Sequence, residues 1–267
     1  MFMATPAPTG RRTTPGRIAY GLYAWLQFML LGTTGVLLLL CPQSLAGRRA
    51  LVRRLARLAL RLAGMRLQVS GLTDLPLHCV VVANHQSYLD GVVLAALLPA
   101  RFGFVIKREM ARVPLAGWLL RRIGAEFVER HDQRRMLRDT RRLLRQASHG
   151  EALVFFPEGT FSSSVGLLRF HIGAFAAAAR ANVPVLPIAI RGTRECLAPG
   201  SFWPRPGLIQ VQGLAAVGAL PGQTGPGAAA LREQARAALL SALGEPDLDV
   251  TEDAPLPGSA RAAGEPA

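Results

Sequence analysis

Lysine is almost absent from this chain of 267 residues: Lys107 is the only one, and arginine supplies the rest of its 31 basic residues. Cysteine is nearly as scarce. Cys41, Cys79 and Cys196 are odd in number and outside metal-ligand spacing, which indicates neither a disulfide framework nor a zinc site and leaves a reducing, cytosolic face as the default. Cys79 stands inside the apolar run Cys79-Val80-Val81-Val82, away from any base, so it reads as core packing rather than as a nucleophile. No Gly-x-Ser-x-Gly turn occurs, which argues against a serine hydrolase. Acidic residues number only 17, and the resulting charge of +14 and pI of about 11.4 draw the chain toward anionic surfaces. Nucleic acid is set aside as the partner, because aromatic-interleaved basic stretches, zinc-finger spacing and a helix-turn-helix signature are all missing. Anionic lipid is left, and it also accounts for a hydrophobic N-terminal region.

Half of the residues are hydrophobic, enough for a sizeable core in one domain with appendages. Residues 1–18, rich in Thr, Pro, Gly and Arg, are expected to be disordered. From Ala19 to Cys41 run 23 residues without a charge, long enough to cross a hydrocarbon core of roughly 30 Å as a helix. The stretch is too long for a cleaved signal peptide, and no small-residue cleavage site follows it. A re-entrant hairpin bent near Gly32-Thr33-Thr34-Gly35 fits it equally. Arg11, Arg12 and Arg17 precede the stretch, whereas Arg48, Arg49, Arg53, Arg54, Arg57 and Arg61 follow it closely, which places the next domain on the cytoplasmic face of the membrane in either arrangement. Next, Leu51, Leu55, Leu58 and Leu62 share one helical face with Arg53, Arg57 and Arg61 opposite, the pattern of a basic amphipathic helix lying in a membrane interface. Residues 19–65 are therefore assigned as a membrane-anchoring helical segment.

Residues 66–243 alternate strand-like and helical patterns. Strands are expected near 66–70, 79–83, 103–106, 124–128, 152–156, 184–190 and 208–212, with helices near 89–99, 114–123, 132–147, 170–181 and 226–243. Such alternation predicts an α/β fold, a mixed, largely parallel sheet flanked by helices. In 132–147, Met136, Leu137, Thr140, Leu143 and Leu144 make an apolar face and arginines a solvated one. The acidic, Pro/Gly/Ala-rich residues 244–267 are expected to form an unstructured tail.

Two of the expected strands end in chemistry. Asn84-His85-Gln86-Ser87-Tyr88-Leu89-Asp90 sets a histidine five residues before a carboxylate, a candidate general base and the acid that fixes its tautomer. Five helical residues rotate by about 140°, so the pair cannot share a face of a regular helix and must close through a turn, with Ser87 or Asp90 near the cap of the following helix. Spacing alone proves little, and a second motif decides. Leu153-Val154-Phe155-Phe156-Pro157-Glu158-Gly159-Thr160 is another apolar run that breaks at Pro and Gly and presents polar groups where the strand ends, the place where open α/β sheets bind ligands. Glu158 could hydrogen-bond a substrate or brace His85, and Gly159 allows close backbone approach.

Together these two blocks resemble the glycerophosphate and lysophospholipid acyltransferase family, typified by 1-acyl-sn-glycerol-3-phosphate acyltransferase. Lys107-Arg108-Glu109, Pro114 to Trp118 and Gly124 to Arg130 look like its second block, and Val183 to Gly192 like its fourth, so the resemblance covers roughly residues 66–215. It implies a membrane-associated enzyme. His85 would deprotonate an acceptor hydroxyl that attacks an acyl thioester directly, with Asp90 orienting it and no covalent acyl-enzyme. Acyl-CoA or acyl carrier protein is the co-substrate, and neither a cofactor nor a metal is called for. The acceptor is a lysophospholipid, 1-acyl-sn-glycerol-3-phosphate, with Asn84, Glu158, Gly159, Thr160, Arg130, Lys107 and Arg169 as the substrate-binding set. Phe161 departs from the family pattern: many members carry Arg or another polar residue directly after the Thr, and a guanidinium is the usual phosphate clamp. Either Arg130, Arg169 or Lys107 supplies that charge, Arg130 by preference, or the acceptor is a phosphate-free lysolipid such as a lyso-aminolipid. His171 stands where relatives often have Lys and is given no catalytic role. A non-catalytic membrane or nucleic-acid binding module is the alternative of another class, distinguished by an absence of thioester turnover.

Overall fold

The computed structural model describes residues 15–129, 142, 143, 145, 151–218 and 225–249, and a seven-stranded sheet forms its centre. In chain order the strands are β1 (Met65–Ser70), β2 (Val80–Ala83), β3 (Phe102–Lys107), β4 (Glu126–Val128), β5 (Ala152–Phe155), β6 (Val185–Arg191) and β7 (Gly207–Gly213). They lie in the order β1-β7-β6-β2-β5-β3-β4, and each neighbouring pair is parallel except β6 with β7. The mixed, largely parallel sheet read from the alternation is what the chain forms. Its helices are α1 (Pro15–Leu40), α2 (Leu45–Leu62), α3 (Leu89–Leu97), α4 (Ala116–Arg122), α5 (Gly173–Ala181), the single turn α6 (Thr193–Cys196) and α7 (Ala228–Leu243).

Central strands are apolar throughout because both faces of the sheet are covered. Val81 and Ala83 of β2 pack with Leu60 of α2 and with Val93 and Leu94 of α3. On the other face Val80 and Val82 pack with Phe175 of α5 and with Leu231 and Leu239 of α7. The connection leaving β2 therefore runs over one face and that leaving β5 over the other. Their carboxyl ends are adjacent, Val82 lying opposite Phe155, and the chain leaves them toward opposite faces of the sheet, the topology at which open α/β sheets bind ligands.

Several boundaries differ from the sequence expectation, each for a local reason. α1 begins at Pro15, inside the stretch expected to be disordered, since Pro is well placed in a helix's first turn. The helix continues unbroken through Gly32–Gly35, so the chain reverses instead at residues 41–44, where Ser44 caps α2 through Gly47 N–H at 3.1 Å. α2 is not a free interfacial helix: Ala59 and Leu60 are buried, and the Arg57 guanidinium donates to Ala96 O at 2.6 Å. β4 starts two residues late because Gly124 still closes the end of α4 through Arg121 O. Of the expected helix 132–147, Arg142, Leu143 and Arg145 are helical and the remainder lies outside the described residues. Finally, the expected unstructured tail is wrong over its first residues. Residues 245–249 fold back onto the domain, where Leu167 N–H donates to Pro246 O at 2.9 Å and Arg236 pairs with Asp247 at 2.6 Å.

Candidate active site

The site is assembled from the ends of β2 and β5. Asn84, the first residue past β2, faces β6: its amide donates to Ile190 O at 2.8 Å and accepts from Ile190 N–H at 2.7 Å. That staple fixes where the turn begins. The turn then wraps around one carboxylate oxygen. Asp90 Oδ2 accepts from Gln86 N–H at 2.6 Å, Ser87 N–H at 2.8 Å and His85 Nδ1 at 2.8 Å. Asp90 lies in the first turn of α3 and is fully buried. Ser87 Oγ accepts from Leu89 N–H at 3.2 Å and donates to Leu197 O at 2.6 Å, tying the same turn to the segment after α6.

Because the carboxylate can only accept, Nδ1 carries the proton and Nε2 presents a lone pair. The imidazole plane is fixed as well. Phe156 stacks on it at 4.3 Å between ring centroids, Phe161 meets it edge-on at 4.6 Å, and Tyr88 extends that aromatic wall at 4.7 Å from Phe161. The His85 side chain keeps 18% of its surface exposed.

Glu158 arrives from the neighbouring strand and takes His85 N–H at 2.6 Å on Oε1 and Leu168 N–H at 2.9 Å on Oε2. Burial pushes its carboxyl up to about 7, Asp90 and Glu245 add to the rise, and the two N–H groups pull the other way. Gly159 follows with φ +72°, a conformation other residues adopt only at a cost, and its N–H donates to Phe156 O at 3.0 Å as the chain turns away from β5. At the end of β6, Gly192 at φ +85° has no alternative residue, since a Cβ there would sit 2.1 Å from Leu208 O.

Comparison with known proteins covers the span that carries this arrangement. The acyltransferase family profile matches residues 66–191, the span holding β1 to β6 and both motifs. Those residues form an acyltransferase-family domain. The chain is 36% identical over 136 residues to the 1-acyl-sn-glycerol-3-phosphate acyltransferase BAT2 of Brassica napus, covering 50% of this chain and 39% of that one. It is 40% identical over 114 residues to the lyso-ornithine lipid O-acyltransferase of Pseudomonas aeruginosa, 43% of each chain. It thus spans less than half the length of these curated relatives. The crystal structure of the 1-acyl-sn-glycerophosphate (LPA) acyltransferase PlsC from Thermotoga maritima shares the fold, with a TM-score of 0.69 at 21% identity over 86% of this chain and 95% of that one.

Not every residue expected in the substrate set of this acyltransferase domain is free to touch a substrate. Asn84 is 1% exposed and its amide is spent on Ile190; Glu158 is 4% exposed with both oxygens taken by backbone N–H groups. Both brace the site from within. Thr160, Lys107 and Arg169 are exposed. Lys107 ends β3, two strands from β2 in the sheet, hence about 10 Å away laterally. Arg130 lies outside the described residues. Sequence reasoning missed the aromatic wall: Phe161 stood out as a departure from a pattern, but nothing in its spacing announced a contact with His85. Cys79 is buried in the core, and desolvation pushes its thiol up to about 11, as suits a packing residue.

Proposed function

We propose that the chain transfers a fatty acyl group from an acyl thioester of CoA or acyl carrier protein to the free hydroxyl of 1-acyl-sn-glycerol-3-phosphate, forming phosphatidate. The observation that carries this reading is the His85–Asp90 couple at 2.8 Å, set at the adjoining ends of β2 and β5 with its lone pair directed away from a buried carboxylate. His85 Nε2 takes the hydroxyl proton as the acceptor oxygen attacks the thioester carbonyl. The tetrahedral adduct collapses, the carbon–sulfur bond breaks, and the imidazolium returns the proton to the departing thiolate. Asp90 stabilises the imidazolium between those two transfers. Arg130, Lys107 and Arg169 are the cations we assign to the acceptor phosphate. α1 and α2 hold the domain at the cytoplasmic face of a membrane, where both lipids reside.

A second acceptor class is favoured by one observation. Phe161 occupies the position after Thr160 and packs against His85, so an apolar ring stands where the family pattern often puts a polar residue. A phosphate-free lysolipid, such as lyso-ornithine lipid, suits that wall. The test is a panel: purified full chain, labelled acyl-CoA or acyl carrier protein, and lysophosphatidate beside lyso-ornithine lipid in detergent micelles. Label in phosphatidate supports the first acceptor, and label in ornithine lipid alone replaces it with the second. His85→Ala should abolish transfer with either, and Asp90→Asn should slow it by roughly two to four orders of magnitude. Near-normal turnover by His85→Ala would refute the mechanism.

A further inference from the structure

The segment after α7 has the composition of a tail and the contacts of a structural element. Two chains of hydrogen bonds lead from it to His85. In the first, Leu167 N–H donates to Pro246 O at 2.9 Å and Leu248 N–H donates back to Leu167 O at 3.1 Å, a one-residue parallel bridge. The next residue, Leu168, donates to Glu158 at 2.9 Å, and Glu158 holds His85 N–H at 2.6 Å. In the second, Gln86 Nε2 donates to Glu245 Oε1 at 2.8 Å, while Gln86 N–H donates to Asp90 Oδ2 at 2.6 Å. Glu245 therefore grips the side chain of the residue whose backbone helps to hold the orienting carboxylate.

A clasp keeps the segment in place. Arg236 of α7, whose side chain is 7% exposed, forks onto both oxygens of Asp247 at 2.6 Å each and donates to Leu167 O at 3.2 Å. The Phe170 ring lies 5.7 Å from its guanidinium carbon. Planar bidentate pairing of this kind adds geometric specificity to charge. It joins α7, the strap and the loop after β5 at a single point.

We infer that residues 245–249 are a strap that positions the His85–Glu158 pair for acyl transfer, with Glu245 and Gln86 as positioning residues. Its kinetic consequences rest on the acyl-transfer reading above. Small displacements of a base from its reacting atom cost rate far more than they cost binding, so the strap should act on kcat and leave KM nearly unchanged.

The experiment compares Glu245→Ala, Gln86→Met and the double variant in the full chain, by steady-state kinetics and by proton NMR of the His85 ring N–H. Each single variant should lose about tenfold in kcat, with donor and acceptor KM within about twofold of wild type. The double variant should be no slower than the worse single one, because both cut the same link. Glu245→Gln, which keeps an oxygen for Gln86, should restore most of kcat. The ring proton shared with Asp90 should exchange with solvent at least tenfold faster in Glu245→Ala than in wild type. Unchanged exchange in both single variants, or losses that multiply in the double variant, would overturn the strap. A wild-type chain that transfers no acyl group would refute the functional reading alone, and the exchange rates would still decide the strap.

Discussion

His85 becomes a plausible base through what surrounds it rather than through its own chemistry. Asp90 fixes the tautomer, Glu158 fixes the backbone, and Phe156 and Phe161 fix the ring plane. Glu158 does this at a cost that depends on pH. Its carboxyl titrates near 7 in the folded chain but near 4.5 when exposed, so unfolding releases a proton between those values and stability falls as pH rises through that window. The stabilisation is fully present below about 4.5 and lost above about 7, a change on the order of 3 kcal/mol. Urea unfolding of wild type and Glu158→Gln at pH 5 and pH 8 measures it. Wild type should lose stability relative to the variant on going to pH 8, and parallel behaviour would show that Glu158 titrates normally. The couple itself was legible in the sequence because its two members lie in one turn. The bracing partners were not: Glu158 is 73 residues from His85 and Ile190 is 106 from Asn84, and a polar residue at a strand end can equally face a ligand or a neighbouring backbone.

Elements were read most accurately where burial is two-sided. β2, β5 and β6 appear as unbroken apolar runs because helices cover both faces, and such runs announce themselves at any register. α2 was harder, since an arginine on a helix looks the same in sequence whether it faces lipid headgroups or a carbonyl. Arg49 is of the second kind. Its guanidinium donates to Ile123 O at 2.8 Å, Gly124 O at 3.1 Å and Ala100 O at 3.3 Å, fastening α2 to the ends of α3 and α4, and burial draws its pKa down. Charged hydrogen bonds of this sort contribute about 1.5–3 kcal/mol, and their loss would also leave half-buried carbonyls unpaired. Arg49→Met should lower the thermal midpoint by about 5–10 °C in a domain of this size, whereas Arg54→Met, at an exposed position on the same helix, should change it by no more than a degree or two. Equal effects of the two substitutions in calorimetry would remove the distinction between them.

At the scale of the whole molecule, α1 is held along its length instead of projecting from the domain. Tyr20 donates to Ala63 O at 2.5 Å, Tyr23 to Leu62 O at 3.1 Å and Gln27 to Ala59 O at 3.4 Å, so α1 runs antiparallel to α2. At its far end Arg122 of α4 donates to Leu39 O. Trp25 donates to Phe202 O at 2.6 Å, joining α1 to the loop before β7. α1 is long and apolar enough to cross a membrane, but on the membrane-bound reading proposed above its clamp to arginine-bearing α2 favours the interface, since crossing would draw those charges toward hydrocarbon. Lying in the interface avoids that cost, and α1 presents the side for it: Leu22, Leu26 and Leu30, one helical turn apart, are 60%, 71% and 66% exposed. The +14 charge adds attraction to anionic headgroups, which salt screens over about 8–10 Å, whereas burial of the leucines is insensitive to salt. Vesicle sedimentation separates the two contributions. Replacing Leu22, Leu26 and Leu30 with Ser should weaken binding to anionic vesicles at least tenfold at any ionic strength. Raising salt from 0.1 to 1 M should weaken, without abolishing, binding of the wild-type chain. Binding that disappears in high salt with the leucines intact would make the attachment electrostatic and α1 a helix covered by protein.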